Sequence, residues 1–156
     1  MIEDQHDLHN CILLIEGDST LGDTLRSAFE DEGYQVHLTA QAPSVDEVVD
    51  IQPDLVMLDI GRNETAAGWQ FVQELKAAPR AADLPIVISS GDGAIVAQQD
   101  VRVRSEAAAI LIKPFSLDDL LPVVATAIAR RDLFRAVDEL VAEPHDCNFS
   151  LGSIWY

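Results

Sequence analysis

Four apolar runs in this 156-residue sequence end on polar groups that can do chemistry. CILLI stops on Glu16, LVML on Asp59, AAILI on Lys113, and PIVI on the hydroxyls of Ser89 and Ser90. An aspartate that closes an all-apolar strand is costly to bury unless it is open to water, paired with a cation or reactive. Such a carboxylate can attack phosphorus and carry an aspartyl phosphate. A lysine at a strand end can neutralise that carboxylate and later hold a phosphoryl oxygen. Glu16, Gly17 and Asp18 follow the first run, and carboxylates there suit Mg²⁺, a hard cation that prefers oxygen ligands and keeps several waters. Asp18 has a second reading, as the N-cap of the helix that follows.

The elements that must position these groups are legible in the hydropathy pattern. Runs of four or five Val, Ile and Leu residues are typical of strands buried on both faces of a parallel sheet, so the polar groups that end them gather along one sheet edge. Open α/β folds place their chemistry at that edge. Strands are expected over residues 11–15, 34–38, 55–58, 86–88 and 108–112. Between them, a helix over 19–32 stops at Gly33, and Ser44 with Glu47 forms a capping box for a helix to about Ile51. A third helix follows Gly68, buries Phe71, Val72 and Leu75, turns Lys76 to solvent and ends at Pro79. Residues 92–106 fit a helical period only loosely, and Ser116 with Asp119 caps a final helix. Five such βα units predict an α/β, doubly wound three-layer sandwich. Pro114 fixes the turn after Lys113, with a cis bond as one way to do so.

Composition narrows the function classes. Ten Lys and Arg against 27 Asp and Glu give a formal charge of −17, which repels phosphate backbones, so no nucleic-acid partner is expected. Two cysteines, Cys11 and Cys147, supply no disulfide framework, and the acidic start MIEDQHDLHN is unlike a signal peptide. No apolar stretch approaches the ~18 residues needed to span a bilayer. The expectation is a cytoplasmic protein without membrane contact.

ILLIEGDS, PDLVMLDI, PIVISSGD and AAILIKPF, in this order and spacing, resemble the receiver domain of two-component response regulators, the CheY-like family. The likeness covers roughly residues 10–130. It implies a five-stranded parallel sheet of order 2-1-3-4-5 (flavodoxin-like/CheY-like). It also implies phosphate transfer to Asp59 from a sensor histidine kinase or histidine phosphotransfer protein. By the same resemblance Lys113 is the family's lysine, and Ser90 is the hydroxyl that moves toward the phosphoryl group. The resemblance further implies that Mg²⁺ is held by Glu16, Asp59 and the backbone of Gly61. The second acid of the usual pair is Gly17 here, with Asp18 as a candidate substitute. A carboxylate about 4 Å from a cation is worth about 4 kcal/mol at an effective dielectric near 20, so its loss weakens Mg²⁺ binding by orders of magnitude. Against the family pattern, the loop from Asp59 to Gly68 is one residue longer than usual and lacks the usual Pro, and Ile110 stands at the aromatic switch position. Trp69, beside Gly68, should lie near the pocket.

Two functions follow. The first is a stand-alone response regulator receiver that signals through contacts with a downstream protein. The alternative is a pseudo-receiver, an interaction or dimerisation module that works without phosphorylation because of Gly17. Catalysis beyond self-phosphorylation and self-dephosphorylation is not expected, since Gly61 stands where an aspartyl phosphatase needs a second aspartate. Residues 1–9 read as an acidic flexible N-terminus, and residues 131–156 as a helical extension and apolar tail with no separate output domain. In the extension Leu133, Phe134, Val137, Leu140 and Val141 form an apolar stripe. It either packs on the receiver or extends its last helix, or serves a homodimer or partner. The tail residues Phe149, Leu151, Ile154, Trp155 and Tyr156 could dock on the same domain, a twin subunit or a partner.

Overall fold

The computed structural model describes residues 10–61, 65–93 and 106–142. Five parallel strands form one sheet: β1 (Cys11–Ile15), β2 (Gln35–Thr39), β3 (Leu55–Asp59), β4 (Ile86–Ser90) and β5 (Ala109–Ile112). Their order is β2-β1-β3-β4-β5, so β1 and β3 lie side by side at the point where the winding reverses. The helices are α1 (Ser19–Asp31), α2 (Val45–Ile51), α3 (Thr65–Ala77) and α4 (Leu117–Ala142).

Alternation along the strands builds two cores, one on each face of the sheet. Leu13, Ile15, Val56, Leu58, Ile86 and Ile88 point to one side and pack with Val48 of α2 and with Trp69, Phe71, Val72 and Leu75 of α3. Ile12, Leu14, Leu55, Met57 and Val87 point to the other, against Leu25 and Phe29 of α1 and Leu120, Val124 and Ile128 of α4. Period-two side chains covered on both faces explain why β1, β3 and β4 read as unbroken apolar runs, whereas the edge strand β2 mixes exposed polar and half-buried residues.

Local signals set the helix starts. Asp18 caps α1 by accepting the Leu21 N–H at 3.0 Å. Ser44 and Glu47 form the reciprocal capping box of α2, at 3.2 and 2.9 Å. Ser116 and Asp119 do the same at the start of α4, at 3.1 and 3.2 Å.

Several expectations are corrected. Helix α3 begins at Thr65, so Gly68 lies inside it. A Cβ at position 68 would stand 2.9 Å from Cγ1 of Ile60, so this glycine is what lets α3 lie close on the end of β3. Lys76 does not face open solvent: its ammonium donates to the carbonyls of Leu84 at 2.8 Å and Ala82 at 3.3 Å and ties α3 to the approach to β4. The helix expected over 92–106 lies, apart from Asp92, Gly93 and Glu106, outside the described residues, as do residues 1–9 and 143–156.

Helix α4 runs unbroken through residue 130, where the receiver was expected to end, and 26 residues make it about 39 Å long. Pro122 is accommodated within it. Its far half is anchored by Arg131, which donates to the Pro53 carbonyl at 3.3 Å and to Asp54 at 3.4 Å, while Arg135 pairs with Asp83 at 2.8 Å. No described helix is long and apolar enough to cross a membrane.

Replacing Gly68 with alanine gains about 1 kcal/mol of helix propensity but forces Ile60 aside, and overpacking of this kind costs about 1–3 kcal/mol. Gly68→Ala should therefore lower the denaturant midpoint or leave it unchanged. A clear rise would show that the close approach does not limit packing here.

Candidate functional site

The site is assembled by strand ends at one sheet edge. Asp59 ends β3, Ser89 and Ser90 end β4, Glu16 follows β1 directly, and Lys113 follows β5 directly. Parallel register places Ile15 beside Leu58, Asp59 beside Ser89, and Ser90 beside Ile112, which brings groups far apart in sequence together. The Lys113–Pro114 peptide is cis.

Lys113 is the centre of the arrangement. Its ammonium lies 2.8 Å from Oδ1 of Asp59 and 3.2 Å from Oε2 of Glu16. Glu16 is buried at 4% exposure, and its second oxygen, Oε1, accepts the Asp18 N–H at 3.0 Å. Glu16 is thus a satisfied buried carboxylate whose charge is met by Lys113. Asp59 stays partly open to solvent, with 21% of its side chain exposed, as a carboxylate that reacts with an outside group must.

Burial alone would lower the Lys113 pKa. The hydrogen bond and charge of Asp59, joined by those of Glu16, outweigh it and hold the pKa above its ordinary 10.5.

The two hydroxyls divide. The Ser89 hydroxyl donates to Oδ1 of Asp59 at 3.4 Å, a long hydrogen bond, whereas Oγ of Ser90 accepts the Asp92 N–H at 3.3 Å. Both serines are 1% exposed. Sequence reading singled out Ser90 and missed the contact of Ser89. The signal that finds it is register, because a residue paired with Asp59 projects on the same face.

Asp18 caps α1 through Oδ1, which accepts the Leu21 N–H. Gly61 is in place after β3, and its carbonyl accepts the Thr65 hydroxyl at 3.1 Å. At position 17 a Cβ would meet nothing nearer than the Ala40 carbonyl oxygen at 3.9 Å. Gly17 instead lines a cleft of about 310 Å³ with Asp59, Ala40, Ala42, Ala67 and Gly68. Trp69 turns away from that cleft into the core, 4% exposed. Among the described residues, no three His, Cys, Asp or Glu side chains are grouped to hold a metal ion.

Residues 12–125 match the family model of the response regulator receiver domain. The chain belongs to the response regulator receiver family. It is 30% identical over 123 residues to the DNA-binding dual master transcriptional regulator RpaA of Synechocystis, which covers 78% of this chain and 50% of that protein. It is also 30% identical over 139 residues to the transcriptional regulatory protein PdtaR of Mycobacterium tuberculosis, covering 85% of this chain and 62% of PdtaR. The chain thus spans about half to three-fifths of the length of these relatives. Among solved structures, NtrX of Brucella abortus in complex with ATP superposes with a TM-score of 0.72 at 27% identity, over 85% of this chain and 30% of that one. The sheet order is that of the CheY-like, flavodoxin-like fold.

The raised Lys113 pKa has a definite sign for stability. A lysine whose folded pKa exceeds its unfolded value stabilises fully below about pH 10.5, and that contribution is lost as pH rises through the folded value. Lys113→Met leaves two carboxylates without their cation and should cost about 1–3 kcal/mol at neutral pH. The difference between wild type and variant should shrink above the folded pKa. Denaturant unfolding of both proteins at neutral and strongly alkaline pH measures this, and a difference independent of pH would refute the assigned ion pairs.

Proposed function

We propose that this receiver accepts a phosphoryl group on Asp59 from a sensor histidine kinase or a histidine phosphotransfer protein, and signals through protein contacts. The observation that carries the reading is the Lys113 ammonium 2.8 Å from an Asp59 carboxylate that remains open to solvent. In this scheme an Asp59 oxygen attacks phosphorus, the bond from phosphorus to the donor's nitrogen breaks, and the donor histidine leaves with that electron pair. Lys113 holds the nucleophile in place and offers its positive charge to the added phosphoryl oxygens. Ser90 is the family's mobile hydroxyl, and Ser89, already in contact with Asp59, is the nearer donor in this arrangement.

Mg²⁺ would be held by Glu16, Asp59 and the Gly61 carbonyl, with water at its other positions. Bound there, it would neutralise charge on the phosphoryl group. Each Glu16 oxygen accepts a single hydrogen bond, from Lys113 and from the Asp18 N–H, which leaves lone pairs for an ion, whereas Gly17 supplies no acid. The donor set is therefore one carboxylate short, and weak binding is the expected consequence. The formal charge of −17 favours a protein partner over nucleic acid.

Gly17 favours a second reading, the phosphorylation-independent pseudo-receiver. A small acyl or amido phosphate donor with Mg²⁺, followed by intact mass, separates the two. The wild-type protein should gain one phosphoryl group, and Asp59→Asn should gain none. Failure of the wild type to react at any Mg²⁺ concentration, with reaction restored in Gly17→Asp, would establish the pseudo-receiver.

A further inference from the structure

The far end of α4 is an apolar face without a cover among the described residues. Every residue from Asp132 to Ala142 is exposed, about three helical turns in all. On this segment Leu133, Phe134, Val137, Leu140 and Val141 are between 47% and 76% exposed. Leu133, Val137 and Leu140 are spaced four and three apart, as in the seam of a coiled coil, and Phe134 and Val141 widen the same stripe. Exposed apolar surface of this extent on a soluble chain marks a contact site.

We propose that a second copy of this chain covers the stripe, helix against helix, and that this pairing is independent of phosphorylation. Charge supports the choice of occupant. Residues 130–142 carry Arg130, Arg131 and Arg135 against Asp132, Asp138 and Glu139, three of each sign, so the whole −17 resides elsewhere. Two such acidic chains repel over most of their surface and can meet here without that repulsion. The stripe itself contains no charged residue. Five side chains of this size offer on the order of 500 Å² per copy, or about 1,000 Å² in a pair, the lower range for a specific interface.

Independence from Asp59 follows from position. Arg131 is anchored to Pro53 and Asp54, just before β3 begins, whereas Asp59 is where β3 ends. The stripe therefore lies beyond the sheet edge opposite the phosphoacceptor, about 22 Å along α4 from its first turn. The pairing stands whether or not Asp59 is phosphorylated, so it and the proposed function fail separately.

Light scattering on the full chain tests it. The expected particle is twice 17.0 kDa at tens of micromolar, and it should tighten as salt rises, since an apolar contact is retained while repulsion is screened. Phe134→Glu combined with Leu140→Glu should give a monomer with unchanged circular dichroism, and Phe134→Gln alone should weaken the dimer at least tenfold. Asp59→Asn, and a tail variant with serine at positions 154, 155 and 156, should remain dimeric. A monomeric wild type, a dimer that loosens with salt or survives the helix substitutions, or one lost in the Asp59 variant would each overturn the proposal. Loss in the tail variant alone would assign the contact to the tail instead.

Discussion

The Lys113 ammonium, held between Asp59 and Glu16, is the interaction on which the rest of the site depends. Two carboxylates at adjacent strand ends would repel one another, and Glu16 is almost fully buried. A single cation contacting both lets the sheet end on acids without leaving a buried charge unpaired. The chain has only two lysines. The other, Lys76, satisfies backbone carbonyls beside β4, so each has a defined structural task.

That electrostatic centre is held rigid by apolar packing. Glu16, Asp59 and Lys113 lie at or just past the ends of strands whose residues are covered by α2 and α3 on one face and by α1 and α4 on the other. Gly68 permits α3 to approach Ile60, one residue after Asp59, so packing of the helix bears directly on the loop that carries Gly61. At the opposite edge Arg131 joins α4 to the turn before β3, and Asp54 in turn accepts the Cys11 N–H at 2.8 Å. The same sheet thus presents acids with one lysine at one end and an arginine-fastened helix at the other.

Much of this was legible in the sequence because it rests on local rules. Apolar runs of the right length gave the strands, and Ser44 with Glu47 and Ser116 with Asp119 gave helix starts that the structure contains as reciprocal caps. What was missed depends on registers and distances that no local pattern encodes. The contact of Ser89 with Asp59 follows from how β3 and β4 align. The early start of α3 at Thr65 was hidden by reading Gly68 as a boundary, when its role is to allow close packing. Lys76 was assigned to solvent because helical periodicity does not reveal the turn that folds back over it. The exposure of the α4 stripe was likewise undecidable from amphipathicity, which says that a face is apolar but not what it meets.

The proposed function requires that Glu16, Asp59 and the Gly61 carbonyl bind Mg²⁺ although Gly17 supplies no carboxylate. The direct measurement is a Mg²⁺ titration by isothermal calorimetry, for the wild type and for Gly17→Asp, whose added side chain has room beside Ala40. The expected result is saturable but weak binding in the wild type, and binding at least tenfold tighter in Gly17→Asp. A wild type that never binds Mg²⁺, beside a Gly17→Asp variant that does, would contradict the proposed function.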